Sequence, residues 1–341
     1  MTTTTDRKAG FFTTLAGSGA LRNLSRPIVL VVLFAIASFT VKGFFSVPNA
    51  LNLLRNFSFL GFISIGMTFV ILSAGIDLSV ASILAFSGVL LGLFQHWGIY
   101  MGHVEKLSLL MPTPLIFVVI LAIGALMGLL NGLVITKLRI ADFAATLGMM
   151  VFARGLAFAI SGGRTIFNLD KTALFMGRGM IATIPFVAIL FVGAIVVCAV
   201  VLRYTIFGKN LYASGENPQA ARLSGINPVF YKIAVYTISG FFAALAGICM
   251  AGRLNVGEPR VAQGWELDAI ASVVIGGTSF AGGNGGVVRT ILGVAIIGMI
   301  RNLLALLGIQ PDPQDMLMGL VLLAAVILGS LGTRKGSLAH G

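Results

Sequence analysis

Charge is scarce in this sequence. Only 10% of the residues are Asp, Glu, Lys or Arg, against roughly 25% in an ordinary soluble domain. Cysteine occurs twice, at Cys198 and Cys249, both inside apolar runs. That excludes a disulfide scaffold and gives the pair no reason to bond. Histidine occurs at His96, His103 and His340. The first two are seven apart, but without a third ligand they make no metal site. No GxxxxGK[ST] run is present, so the chain has no loop to cradle a nucleotide phosphate. Neither a Ser/His/Asp nor a Cys/His arrangement appears, so nothing points to an intramembrane enzyme.

What is abundant is apolar surface. Hydrophobic residues make up 57% of 341, far too many for one soluble core. A spanning helix needs about 20 apolar residues, so the chain can supply roughly ten. Composition therefore excludes a soluble enzyme, a disordered chain and a nucleic-acid-binding domain. It points to an all-α polytopic membrane protein. The net charge of +12 would suggest nucleic acid in a soluble protein. Here the basic residues sit mostly in short loops, where they set topology and meet lipid headgroups.

Ten apolar runs follow in order: Ile28–Val41, Phe57–Gly75, Leu78–Leu93, Leu107–Thr136, Phe143–Gly163, Ile181–Leu202, Ile233–Gly252, Ala269–Val288, Thr290–Ile309 and Met316–Thr333. The first 27 residues are polar and basic and lack the apolar run of a signal peptide. They read as a cytoplasmic tail, with Pro27 opening the first helix. Residues 334–341 form a second tail, and 28–333 the membrane domain. An even span count puts both tails on one side. With the tails inside, the inner loops carry more Lys and Arg than the outer ones, as the positive-inside rule requires.

One connection is long, Arg203–Lys232, on the expected cytoplasmic side. Asn217 suits a helix N-cap, Pro218 the first helical position, and Gly225 the residue just past the end. A helix this short is marginal alone. It rests either on the protein's own surface or in the groove of a partner. The absence of any motor in the chain favours a partner.

Ser73–Ser82 (SAGIDLSVAS) and Trp265–Val274 (WELDAIASVV) place Asp77 and Asp268 alike, each before a small-residue span. The two segments are five spans apart, so their orientations are opposite. That is the pattern of inverted repeats, whose pathway runs between the halves. Capping is the simpler role for both, Asp77 for a helix from Leu78 and Asp268 for one from Ala269. A charge at mid-bilayer is costly. Arg154 therefore faces either the pathway or a structural partner, and Arg301, beside Asn302, is read as structural. Six glycines fall within Gly276–Gly286. They permit either close helix packing or an unwound stretch whose carbonyls, with Thr278, Ser279 and Asn284, line the route. Glu105, Asp170, Glu258 and Asp312 read as solvated loop charges.

Four blocks in order carry a resemblance: Gly66–Ser82, Asn131–Ala157, Tyr212–Ile226 and Glu266–Gly286. They resemble the permease subunits of bacterial ABC monosaccharide importers of the ribose, xylose, arabinose and galactose type, over nearly the whole chain. Ala81 stands where that family commonly has glycine. The resemblance implies a multi-pass subunit of the bacterial inner membrane that moves a sugar, ribose-type, by alternating access. It implies a second permease subunit, a cytoplasmic ATPase that binds the ATP and Mg, and a periplasmic or lipid-anchored sugar-binding protein. This chain would bind no cofactor itself. The segment holding Gly215, Glu216, Asn217, Pro218, Ala221, Arg222 and Gly225 would be the element that couples to the ATPase. Asp77, Ser79, Asn131, Arg154, Asp268, Thr278, Ser279 and Asn284 are the candidate pathway residues. Two other classes remain open. One is a related permease for a branched-chain amino acid or nucleoside. The other is a proton-coupled transporter, which would need mid-span carboxylates that the runs above lack.

Overall fold

The computed structural model describes residues 19–100 and 111–337. His103, His340 and Glu105, and both extreme ends of the chain, lie outside them. The elements in order are α1 (Gly19–Thr40), α2 (Val47–Leu72), α3 (Val80–Tyr100), α4 (Thr113–Lys137), α5 (Asp142–Ser161), β1 (Ile166–Phe167), α6 (Lys171–Arg178), β2 (Met180–Ile181), β3 (Ile184–Pro185), α7 (Phe186–Tyr204), α8 (Ile206–Glu216), α9 (Pro218–Leu223), α10 (Pro228–Leu254), β4 (Val256–Gly257), α11 (Trp265–Gly276), α12 (Val287–Leu306) and α13 (Pro311–Ser337). Among the described residues six helices are long and apolar enough to cross a membrane: α2, α4, α5, α7, α10 and α12.

Two helices sit at the centre, and their sequences explain why. α2 is buried on every side from Ser58 to Leu72, as expected of a helix that is apolar all round. Ser46 caps it and Pro48 stands in its first turn. α10 begins the same way, with Asn227 accepting from Val229 N–H at 3.1 Å and Pro228 at the first position. It ends on Asn255, which takes the left-handed conformation at φ 66°. α10 packs against α2, α3, α4 and α6. It approaches α4 closely, and a Cβ on Gly128 would overlap the Tyr236 carbonyl. Only a residue without a side chain lets the two backbones meet so closely.

The chain turns at two ends of this bundle. Residues 73–79, 138–141, 205–227 and 277–286 gather at one end, and 41–46, 162–185, 255–264 and 307–310 at the other. At the second end β1 pairs antiparallel with β4, and β2 with β3. Asn49 and Asn302 exchange hydrogen bonds there at 3.2 and 2.8 Å, and Arg253 donates to Asn52 at 2.9 Å.

Several expectations change. The first helix runs through Pro27 instead of opening at it. The expected span Ala269–Val288 is a twelve-residue helix, α11, that stops at Gly277, followed by an irregular segment. Gly277, at φ 98°, cannot continue a helix. Asp170 and Glu258 are not simply solvated. Asp170 caps α6 through Ala173 N–H at 2.7 Å and accepts from Thr113, while Glu258 accepts from Thr165 and from Arg260 N–H at 3.0 Å. Cys198 and Cys249 are buried and unbonded.

Candidate functional site

The short helix expected after Asn217 is present as α9. Its start is closed by the Asn217 side chain, which accepts from the N–H groups of Gln219 and Ala220, each at 3.0 Å. Its end is a Schellman turn. Ile226 N–H reaches Ala221 O and Gly225 N–H reaches Arg222 O, each at 3.0 Å, with Gly225 at φ 82°. That pair of bonds and a left-handed glycine are what this termination requires. The helix has two faces. Ala221 is buried against the chain itself, while Gln219, Ala220 and Arg222 are exposed and Leu223 is 92% exposed. α9 thus rests on its own protein and shows its other side outward. Ala221, one of the residues expected to couple to the ATPase, lies on the inner side.

Sequence reading missed the helix that carries α9. α8 fills residues expected to be loop, with Thr205 as its cap, accepting from Gly208 N–H at 3.3 Å. Its buried residues are Gly208, Leu211, Ser214 and Gly215. Their helical spacing was visible, but three of the four are small and polar or featureless, so they made no apolar stripe. A Cβ on Gly215 would overlap the carbonyl oxygen of Leu72, the last residue of α2. α8 is therefore seated backbone to backbone on the central helix.

The glycine-rich segment lies in the same place. Gly283 N–H donates to Leu72 O at 3.0 Å. Tyr212 on α8 donates its hydroxyl to Gly285 O at 2.9 Å. Burial raises the Tyr212 hydroxyl's pKa above its ordinary value, and the nearby Arg289 charge opposes that rise. A Cβ on Gly283 would meet the Glu216 Cβ at 2.6 Å. The segment is unwound, as one of the two expectations held, but its polar groups are used within it. Ser279 N–H reaches Asn284 O at 2.9 Å, Gly286 N–H reaches the Thr278 hydroxyl at 3.3 Å, and Arg289 reaches Asn284 Oδ1 at 3.2 Å. Gly282 and Gly283 of this segment stand against Gly215 and Glu216, and none of Thr278, Ser279 and Asn284 is among the residues that line the cavity beside Arg154.

One turn away lies a buried polar network. Asp77 is fully buried. Its Oδ1 accepts from the Ser79 N–H at 2.9 Å and from the Ser79 hydroxyl at 2.5 Å, and its Oδ2 accepts from Ser239 at 2.8 Å. Asn131 donates to the Ser79 hydroxyl at 2.9 Å. The expected cap is therefore modified. The helix starts at Val80, and Asp77 joins the α2–α3 turn to α10, and through Ser79 to α4. Beside it Tyr236 donates to Ile76 O and lies 3.0 Å from Asp142, which pairs with Lys232 at 2.6 Å. Three of the eight candidate pathway residues, Asp77, Ser79 and Asn131, meet in this network.

Arg154 is elsewhere. It donates to Pro259 O at 2.7 Å and Val261 O at 2.9 Å. It also lines a cavity of about 410 Å³ with Ser82, Phe158, Gln263 and Glu266. Arg154 thus ties down the 259–261 loop and also borders open space. Asp268 is not a cap. Gly264 holds that position, and Asp268, inside the first turn of α11, is ion-paired with Arg301. Arg301 also reaches Asp315 at 3.0 Å, which makes it the structural residue expected. His96 is bound to Gly92 O at 3.0 Å. No group of three metal-ligating residues occurs among the described residues.

Apolar helices long enough to span, joined by buried polar contacts, define an all-α, multi-pass membrane protein. The chain belongs to the family of branched-chain amino acid transport system permease components, whose model matches residues 49–326. It is 40% identical over 313 residues to the ribose import permease protein RbsC of Haemophilus influenzae, covering 90% of this chain and 93% of that one. It is 41% identical over 313 residues to the protein of the same name from Bacillus subtilis, covering 91% and 93%. It is 35% identical over 308 residues to the L-arabinose transport system permease protein AraH of Escherichia coli K12, covering 88% of each. No solved structure matches.

Proposed function

We propose that the chain is the transmembrane subunit of an ATP-driven importer that moves a monosaccharide, ribose-type, across the bacterial inner membrane by alternating access. The observation that carries this is α9, a helix capped at both ends, held on one face by its own chain and bare on the other. A cytoplasmic ATPase docks on the bare face. Its motion enters through α8 to Leu72 and to the glycine segment, because backbones in direct contact transmit displacement without side chains to absorb it. The Asp77 network is the next joint inward, linking the α2–α3 turn, α4 and α10.

In this reading the chain crosses the membrane ten times. The six long helices are joined by α1, α3, α13 and the half-span α11 with its glycine segment. Both termini are cytoplasmic, and the halves containing Asp77 and Asp268 are inverted repeats. The end carrying α9 is cytoplasmic. The sugar passes by the Arg154 cavity, where Gln263, Glu266 and Ser82 offer hydrogen bonds to hydroxyl groups. α5, which borders that cavity and leaves Val151 and Phe152 exposed, faces a second permease subunit. A periplasmic or lipid-anchored binding protein delivers the sugar, and ATP and Mg are bound by the ATPase alone.

The test is uptake of labelled ribose into proteoliposomes holding the chain, its ATPase and its binding protein. ATP-dependent ribose accumulation supports the reading. The family's own description favours a second substrate class, branched-chain amino acids. Leucine accumulation without ribose accumulation would establish that one instead.

A further inference from the structure

The end that carries α9 holds a second cavity, which the transport reading does not use. It encloses about 720 Å³ between α7, α8 and the first turn of α12. Its two halves differ in chemistry. One is aliphatic, with Val196 and Val200 on α7 and Val288 on α12. The other is cationic, with Arg203, Lys209 and Arg289, and no Asp or Glu lines the cavity. The ion pairs among the described residues are Lys232–Asp142 and those of Arg301 with Asp268 and Asp315, so none of these three cations is neutralised by one.

The halves also lie at different depths. α7 is apolar from Phe186 to Leu202 and ends on Arg203 and Tyr204. A basic and an aromatic residue closing a span mark the level of the lipid headgroups. Val200 and Val196 stand one and two turns deeper, both well exposed, at hydrocarbon level. The start of α12 adds the partial positive charge of a helix N-terminus, with no acidic residue in its first turn to cancel it.

We propose that this cavity binds an anionic phospholipid, with the phosphate among Arg203, Lys209 and Arg289 and one acyl chain along Val196 and Val200. Charge complementarity selects the headgroup. The aliphatic half selects a lipid over a soluble anion, which would leave Val196, Val200 and Val288 unused, and over an acidic protein surface, which could not reach hydrocarbon depth. The cavity also shares Tyr212 and Gly285 with the α8–glycine joint, so a bound lipid braces the path from α9 to Leu72.

The test uses the full chain purified in a neutral detergent, with phosphatidylglycerol and phosphatidylcholine as probes. Native mass spectrometry should show phosphatidylglycerol retained in preference to phosphatidylcholine, and the thermal midpoint should rise by several degrees with phosphatidylglycerol only. The triple variant Arg203→Gln, Lys209→Gln, Arg289→Gln should lose both effects. Val200→Trp, which leaves the cations in place and fills the aliphatic half, should weaken retention severalfold. Equal retention by the triple variant would overturn the proposal. So would an equal midpoint shift from inorganic phosphate, which would mark a soluble-anion site. Loss of ATPase association in the triple variant with phosphatidylglycerol retention unchanged would mark a protein contact and overturn it too. None of these readouts involves sugar, so failure here leaves the transport reading standing.

Discussion

Gly283 donates its backbone N–H to the carbonyl oxygen of Leu72 across 3.0 Å, and on the same oxygen Gly215 leaves no room for a side-chain carbon. Two segments more than sixty residues apart thus converge on the last residue of the central helix. In the proposed coupling, this is where a push on α9 would reach the membrane domain.

Gly215→Val should therefore disrupt coupling more than folding. Overpacking a tight contact costs roughly 1–3 kcal/mol, which a large helical bundle survives. ATP-driven uptake should fall at least tenfold while the variant still inserts and purifies. Uptake at the wild-type rate would remove the joint from the account.

Gly225→Val places a β-branched residue at φ 82°, at a cost of about 1–2 kcal/mol. The Schellman turn should open, with the loss read as faster amide exchange over α9 and reduced uptake. Basal ATP hydrolysis by the partner should persist. Unchanged exchange in the variant would show that the glycine is not needed there.

Asp77→Ala leaves the Ser79 N–H, the Ser79 hydroxyl and the Ser239 hydroxyl without their buried acceptor. Each such loss costs about 1–3 kcal/mol, so the variant should be markedly destabilised. Ser239→Ala removes only one donor and should be milder. Thermal unfolding in detergent ranks the two, and the reverse order would contradict the network.

Asp268→Ala should destabilise, but by less than the roughly 3–5 kcal/mol of a fully stranded buried charge, because Arg301 keeps Asp315 at 3.0 Å. The double variant Asp268→Leu, Arg301→Met should recover much of that loss. Arg154→Leu, by contrast, should abolish uptake while assembly with the ATPase survives. Normal uptake by the leucine variant would leave Arg154 only its two carbonyl bonds.

Much of this was legible in the sequence because its signals are local. Asn217, Pro218 and Gly225 define α9 without help from the rest of the chain, and apolar runs mark the long helices. α8 was hidden because the face it buries is, Leu211 apart, made of glycine and serine, which carry no hydrophobic signal. Asp268 was misread as a cap because its partner, Arg301, is thirty-three residues away. The glycine segment left close packing and an unwound stretch both open, and gave no sign of where it lay. Its position is set by Leu72 and Gly215, and no local pattern reports a contact between distant backbones.

The most direct measurement concerns Leu223, 92% exposed on the bare face of α9. Leu223→Asp changes a side chain that is almost wholly exposed, so the variant's thermal midpoint should match that of the wild type. In proteoliposomes with the ATPase and binding protein, ATP-driven ribose uptake should fall to background, and the ATPase should no longer co-purify. Ribose uptake at the wild-type rate, with the ATPase still bound, would contradict the claim that α9 is the docking element.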